Sequence, residues 1–489
     1  MSALLTAQVA MRLKILIGFA SGPIVAAILG LVSVPIMAWF FSPSDIGRLN
    51  VLQVTSSFAL LLSVLGLDQA YVREYHESLD RPKLFLSCFL PGFALLFIIS
   101  AATVPYSAEL SSLLFADSNK WLFAMAAAGF FLNYTSRFLS LILRMQERGW
   151  AFSMSQILPK TLQLTLILLL ALSTIEKSFL QLAGVTLGSQ AAVLLIYLWN
   201  TKDEWIAAVK SRIHPTELNS LLKFGVPLIF SGLAYWGLAA TSTFALRTWS
   251  DLEELAVYSL AHSFAGAAAI FQSIFTVIWA PTVYKWVSRG VDMAIIDTIA
   301  QQVLAVICAI VAISGSFSWL CDWLLPPEYR DVKYILLCLL MQPLLYTLSE
   351  VTCVGISIQR RTIYSIWITF AALVTNLCLN FLLVPPYGAA GAAVANAAAF
   401  TVFFVARTEV SARIWRRFPR LKLYTCMTAL LAVTTITVFF GSIAPVAIHV
   451  FWAALLLGFF VAFRTQWIEI MAVIRDRKAR QLESNASSI

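Results

Sequence analysis

Asn133, Arg137, Ser140 and Arg144 follow one another at intervals of four, three and four residues, the spacing that aligns side chains on one face of an α-helix. They stand in, or at the end of, an apolar stretch at 121–143. A charge at the centre of a bilayer costs at least about 2.5 kcal/mol, so charges in such stretches usually face a bundle interior or an aqueous cavity. A second stripe, Gln156, Lys160 and Gln163, runs along the next apolar stretch, 152–172. Arg137 lies about seven residues from the inside end of its stretch and Lys160 about eight, so at 1.5 Å per residue both sit roughly 10–12 Å deep. Two cations at one depth on neighbouring helices repel in lipid. A shared wet cavity holding an anion resolves that repulsion, with Arg137 and Lys160 as its charges and Asn133 and Gln156 as its hydrogen-bonding groups. The alternative is that both cations snorkel to the interface or pair with an acid.

The second half of the chain carries different chemistry. Glu350 stands about six residues from the inside end of the stretch 332–356, with Tyr346 four before it and Ser357 seven after. A carboxylate at that depth binds and releases a proton, or pairs with Arg360 or Arg361 nearby. His262, near Tyr258 and Gly266 in the stretch 255–281, is a second titratable group, although a lone histidine is also an ordinary interior residue. Asp68, at the end of 51–70, is expected to pair with Arg73. Glu350, His262 and Asp68 are therefore the candidates for binding a coupling ion. Asn376 and Asn380 share a helix face and can hydrogen-bond sugar hydroxyls or a neighbouring helix. Arg247 is expected to join an outside-surface ion pair with Asp251, Glu253 and Glu254, and Arg407 to snorkel from a span end. The seven cysteines form no CxxC pair and no histidine cluster accompanies them, so they read as small buried hydrophobes, neither disulfides nor metal ligands. No metal and no cofactor is expected.

The elements that must hold these residues follow from composition. Of 489 residues, 60% are hydrophobic and only 12% charged, with a mean hydropathy of +0.83. Soluble enzymes, disordered chains and disulfide scaffolds are excluded on these figures, as is a large extramembrane catalytic domain. At about 20 apolar residues per crossing, the hydrophobic content fills about fourteen helices. Spans are expected at 17–41, 51–70, 84–104, 121–143, 152–172, 179–199, 224–247, 255–281, 298–325, 332–356, 363–384, 389–408, 423–441 and 448–467. Arg12 and Lys14 precede an apolar run too long for a signal-peptide core, which reads as an uncleaved first span. With a cytoplasmic N-terminus the inside segments hold 25 of the 34 Lys and Arg residues and the outside segments five. That asymmetry puts both termini in the cytoplasm. It also accounts for the net charge of +9 without nucleic acid as a partner. Trp39, Trp121, Trp150, Trp199, Trp249, Trp286 and Trp467 fall near span ends, where amphipathic rings prefer the headgroup zone.

The longest inside loop, about 200–223, is too short for a nucleotide-binding domain, and no G-x-x-x-x-G-K-[ST] motif occurs. A weak internal repeat relates Asp45–Val51 to Glu254–Leu260, 209 residues apart. Six spans separate the two copies, so both halves keep one topology, as parallel repeats about the membrane normal. The expected organisation is an N-terminal lobe at 1–200, an inter-lobe loop at 201–223, a C-terminal lobe at 224–408, two further spans at 409–468 and a cytoplasmic tail at 469–489. Pro23, Pro35, Pro91, Pro159, Pro227 and Pro343 fall within spans and are expected to bend them.

Four segments carry a resemblance: FSPSDIGRLNV at 41–51, GLDQAYVREY at 66–75, LLKFGVPLIFSGLAYWG at 221–237 and NLCLNFLLVPPYGAAGAAVANAAAF at 376–400. In order and spacing they resemble the bacterial polysaccharide flippase family, the lipid-carrier transporters of O-antigen and exopolysaccharide, over about 15–465. That family shares a superfamily with the multidrug and toxic-compound exporters and the flippase of the peptidoglycan precursor. The resemblance implies a V-shaped alternating-access transporter of the bacterial inner membrane. Its partners would be polyprenyl-pyrophosphate-linked oligosaccharide, membrane lipid and other membrane proteins of polysaccharide assembly. Arg73 matches a position where the family tends to carry a basic residue; it is otherwise an ordinary positive-inside residue. The expectation is thus a transporter, not an enzyme. A cation-coupled drug exporter would want acidic cavity residues, whereas the stripes at 133–144 and 156–163 are basic. A membrane glycan polymerase or ligase would want paired catalytic carboxylates or a long outside loop, and neither is evident.

Overall fold

A computed structural model describes residues 22–472, apart from 23, 147, 214, 360 and 362, together with 475. The sequence readings on Arg12, Lys14, Pro23 and Arg360 lie outside the described residues. Among those residues the chain is helical throughout: α1 (Ile24–Phe40), α2 (Pro43–Val64), α3 (Leu67–Glu74), α4 (Arg81–Thr103), α5 (Ser107–Phe115), α6 (Lys120–Met145), α7 (Gly149–Leu172), α8 (Phe179–Asn200), α9 (Lys202–Val209), α10 (Pro215–Trp249), α11 (Leu252–Ser288), α12 (Ile295–Ser316), α13 (Cys321–Leu324), α14 (Val332–Ile358), α15 (Ile363–Ile414), α16 (Leu421–Phe440) and α17 (Pro445–Ala462). Among the described residues, ten helices are long and apolar enough to cross a membrane, or eleven if the bent pair α2 and α3 is one span. The protein is therefore an all-α, multi-pass membrane protein. Three other segments occupy stretches where spans are expected: the short α1, the second arm of α15, and α6. Although α6 has 26 residues, Asn133, Thr135, Ser136, Arg137 and Ser140 dilute its apolar character.

The helices do not break at the prolines expected to bend them. Helices run on through Pro91, Pro159, Pro227 and Pro343. The chain breaks instead at Leu65 and Gly66, both with positive φ, which bend α3 by 55° from α2. It breaks again at Gly388, φ 51°, which divides α15 into two arms. Only a glycine fits at Gly66, because a Cβ there would stand 2.1 Å from the Gly225 carbonyl oxygen of α10.

Internal contacts divide the chain into two compact units, 1–263 and 264–489. This is a different division from the repeat boundary at 201–223. It places α10 with the first unit, where α10 packs on α2, α3 and α4. In that unit α2 starts on a side-chain cap from Ser42 to the Asp45 amide, with Pro43 in the first turn. Behind it α4 and α6 share an aromatic wall in which Phe89 meets Phe93, Tyr134 and Phe138. Tyr134 Oη donates to the Phe89 carbonyl at 2.7 Å, and Gly92 lets α4 come against the Ser63 carbonyl of α2. The wall fixes α6 and turns its neighbouring face, with Asn133 and Arg137, towards α2. In the second unit α14 packs on α12, α15 and α16, and α12 packs on α17. Gly315 sits directly against the fully buried Trp452 ring, whose Nε1 donates to Thr437 Oγ1 at 3.1 Å. Trp39, Trp121, Trp150 and Trp199 are exposed, as headgroup-zone rings should be.

Candidate functional site

A cavity of about 460 Å³ opens within the first unit between α2, α3, α6 and α10. Its polar residues are Ser57, Asp68, Gln69 and Arg137, and Tyr235 and Trp236 form an aromatic wall. Trp236 is fixed by its Nε1 hydrogen bond to Ser57 Oγ at 2.9 Å and by Phe58, whose ring centroid lies 4.5 Å away. Arg137 reaches in from the polar stripe of α6 and donates from Nη2 to Asp68 Oδ2 at 2.7 Å. Its side chain keeps 39% of its surface exposed against 10% for Asp68. Asp68 also accepts from the Gln69 amide at 2.8 Å and from Gln69 Nε2 at 3.2 Å. The carboxylate thus accepts from three donors, while the guanidinium, with five N–H groups, has several left for a ligand.

This corrects the expected pairing of Asp68 with Arg73. The two are five residues apart on the short α3, where residues three or four apart are the ones that meet. The bend at Leu65 and Gly66 carries Asp68 to α6 instead. Arg73 contacts Glu74, Nε to Oε1 at 3.5 Å, and lies 4.6 Å over the Phe224 ring. Lys160 is exposed and makes no ion pair among the described residues, and it is not part of the lining of the Arg137 cavity. The two cations expected to share one cavity therefore differ: Arg137 is paired and Lys160 stands alone. Asn133 donates from Nδ2 to Ser56 Oγ at 3.2 Å, and Gln163 donates to Thr186 Oγ1 at 3.4 Å. Gln156 is half-buried and does not line the Arg137 cavity.

The sequence candidates of the second unit form interior contacts. Glu350 is neither unpaired nor bound to Arg361. It accepts from Arg407 Nη1 at 2.8 Å, and the same nitrogen donates to Ser349 Oγ at 2.8 Å. Arg407, expected to snorkel from a span end, turns inward instead, its side chain mostly covered and over the rings of Tyr346 and Phe403 at 5.3 and 5.0 Å. The signal for both pairs was present in the sequence. Asp68 and Glu350 are acids inside apolar stretches, and each needs a cation from within the membrane. Asn380 donates from Nδ2 to the Asn376 carbonyl at 2.8 Å and to Asn376 Oδ1 at 2.6 Å, so the two asparagines bond each other along α15. In the first unit, His262 is half-buried and stacked on Tyr258 with centroids 6.1 Å apart. Arg247 does not find the acids after it. It donates to the carbonyls of Leu114 and Ser112 at 2.9 and 3.0 Å, and Arg48 donates to the carbonyl of Phe115 at 2.8 Å. Both arginines thereby cap the carbonyl end of α5.

Solved structures share this helical membrane fold. The structure titled lipid II flippase MurJ, in an inward closed conformation, is 13% identical, with a TM-score of 0.65 over 91% of this chain and 99% of that one. An inward-facing multidrug resistance MATE family transporter of the MOP superfamily is 16% identical, with a TM-score of 0.59 over 80% of this chain and 96% of that one. A MATE structure in complex with MaL6 is 15% identical, with a TM-score of 0.52 over 85% and 95%. No curated protein sequence matches the chain. Residues 16–287, more than half of the chain, match the family described as polysaccharide biosynthesis protein, and the protein belongs to that family.

Proposed function

We propose that the protein is a flippase that turns polyprenyl-pyrophosphate-linked oligosaccharide from the cytoplasmic to the periplasmic leaflet of the inner membrane, for O-antigen, capsule or exopolysaccharide assembly. The observation that carries this reading is the half-exposed Arg137 in a cavity of a chain from the polysaccharide biosynthesis family. An anionic diphosphate takes the free donors of the guanidinium in charge-assisted hydrogen bonds, bidentate where its oxygens allow. Trp236 and Tyr235 give the glycan an apolar wall, and the polyprenyl tail stays in lipid. Transport by alternating access of the lobes 1–200 and 224–408 then needs no covalent chemistry from the protein. Lys160, Arg73, Gln156, Asn376 and Asn380 are further substrate contacts in this reading, and Glu350, His262 or Asp68 binds the coupling ion.

Deletion of the gene tests it. The expected result is lipid-linked oligosaccharide stranded on the cytoplasmic leaflet and loss of surface polysaccharide, both reversed by the wild-type gene. Normal polysaccharide with increased drug sensitivity would replace this reading by that of a multidrug exporter. The orientation is tested by reporters: one fused after Lys478 should be active only in the cytoplasm, and one between Pro385 and Gly388 only outside.

A further inference from the structure

A second cavity lies one turn along α6 from Arg137. It measures about 220 Å³, is enclosed by α2, α6 and α8, and is lined by Gln53, Ser56, Asn133, Thr186 and Gln190, with Gly129 among its apolar residues. Its lining contains no Asp, Glu, Lys, Arg or His. The polar groups are instead amides and hydroxyls, which both donate and accept hydrogen bonds. An ionic ligand has no counter-charge here. A ligand rich in hydroxyl groups finds partners of both kinds.

The cavity is also short of partners. The side chains of Gln53, which is exposed, and Gln190, which is half-buried, make no hydrogen bond among the described residues, and Gln190 Oε1 is shut off from solvent without a donor. A buried acceptor left so costs on the order of 1–3 kcal/mol. Packing alone would be better served by an apolar side chain, as an amide between membrane helices needs a partner. Gln190 lines the cavity, and an entering hydroxyl would supply the donor that its Oε1 lacks. Size limits what can enter. The cavity far exceeds the roughly 30 Å³ share of one water. It is smaller than the 300 Å³ or so at which pockets take whole ligands. One ring of a larger molecule fits that range.

Position says which ring. Asn133 and Arg137 are four residues apart on one face of α6, about 6 Å along the axis. On α2, Ser56 lines this cavity and its neighbour Ser57 lines the other. Of the rings of a polyprenyl-pyrophosphate-linked glycan, the one bonded to a phosphate held by Arg137 is the nearest to the second cavity. We infer that this cavity is a recognition subsite for the sugar bonded to the pyrophosphate, with Gln53, Asn133 and Gln190 hydrogen-bonding its hydroxyls. The inference rests on the flippase reading, and its test separates the two.

The purified full-length protein in detergent is titrated with citronellyl pyrophosphate and with its glucose, galactose, N-acetylglucosamine and N-acetylgalactosamine conjugates. At least one conjugate should bind more tightly than the bare pyrophosphate. The double variant Gln53→Met/Gln190→Met, close in volume and free of the unpartnered amides, should fold. It should bind that conjugate about ten- to a hundredfold more weakly, the loss of two or more hydrogen bonds, and the bare pyrophosphate unchanged. Arg137→Ala should weaken both probes. Equal affinity of bare and sugar-bearing probes, or unchanged conjugate binding by the double variant, would overturn the subsite and leave the flippase reading standing. Failure of every probe to bind would overturn both.

Discussion

Each unit of the molecule holds an arginine–carboxylate pair within stretches expected to cross the membrane, Arg137 with Asp68 and Arg407 with Glu350, and the two pairs are put to different uses by their surroundings. Arg407 and Glu350 are 13% and 14% exposed, and two aromatic rings and Ser349 occupy the remaining faces of the guanidinium. Arg137 is 39% exposed, and its other donors look into a cavity. The closed pair, as it stands here, holds α14 to α15. An open pair holds α3 to α6 and still presents a cation to a ligand. A charge inside the membrane needs a partner or a water-filled cavity, and a cation that is paired and yet not used up can keep its place and still bind an anion.

Breaking the closed pair should have the largest effect on the protein itself. Glu350→Ala leaves a buried guanidinium without its carboxylate, and loss of one partner of a buried pair costs on the order of 3–5 kcal/mol. The variant should accumulate poorly and melt well below wild type in detergent. Replacing both partners, Glu350→Leu with Arg407→Met, should recover most of that loss, since no charge is stranded. Full transport by the double variant would remove Glu350 from the coupling-ion candidates; stable protein without transport would keep it there.

The open pair predicts a different balance. Arg137→Ala leaves the Asp68 carboxylate, 10% exposed, without its cation, but Gln69 still gives it two hydrogen bonds and the cavity admits water, so the protein should accumulate less well than wild type and better than Glu350→Ala. Loss of charge-assisted contacts contributes on the order of 1.5–3 kcal/mol, roughly a ten- to hundredfold loss of substrate binding. Arg137→Lys should keep part of the activity by retaining charge without the bidentate fork. Surface-polysaccharide complementation at matched protein levels reads both. If Arg137→Ala complements fully, the contrast between an open and a closed pair has no functional meaning.

The sequence shows these elements better than it shows their pairings. Apolar runs mark the spans because no other segment can cross lipid, and the period of Asn133, Arg137 and Ser140 marks one face of α6 whatever surrounds it. The partner of that face is not local. Asp68 lies 69 residues from Arg137 and Glu350 57 from Arg407. Asp68 meets α6 only because Leu65 and Gly66 bend the chain, a left-handed turn that Gly66 permits and composition does not announce. The second cavity is hidden for the same reason. Gln53, Asn133 and Gln190 stand on three helices, and nothing in their spacing says that they converge.

Lys160 is the mildest test of the contrast, because it is neither open pair nor closed pair. It stands exposed on α7 without an ion-pair partner among the described residues. A lone exposed ammonium that meets a passing anion in a wet path contributes a weak, screened interaction of about 0.2–1 kcal/mol, so Lys160→Met should lower transport by no more than about fivefold. Lys160→Arg should restore it, because the charge alone is needed. Neither substitution should lower the melting temperature, since no partner is stranded. The decisive measurement is transport against ionic strength with liposome-reconstituted protein. A substrate-meeting Lys160 makes the wild type more salt-sensitive than Lys160→Met, whereas a lysine that only snorkels to the headgroups gives the same salt dependence in both. Equal transport and equal salt dependence would assign the anion to Arg137 alone.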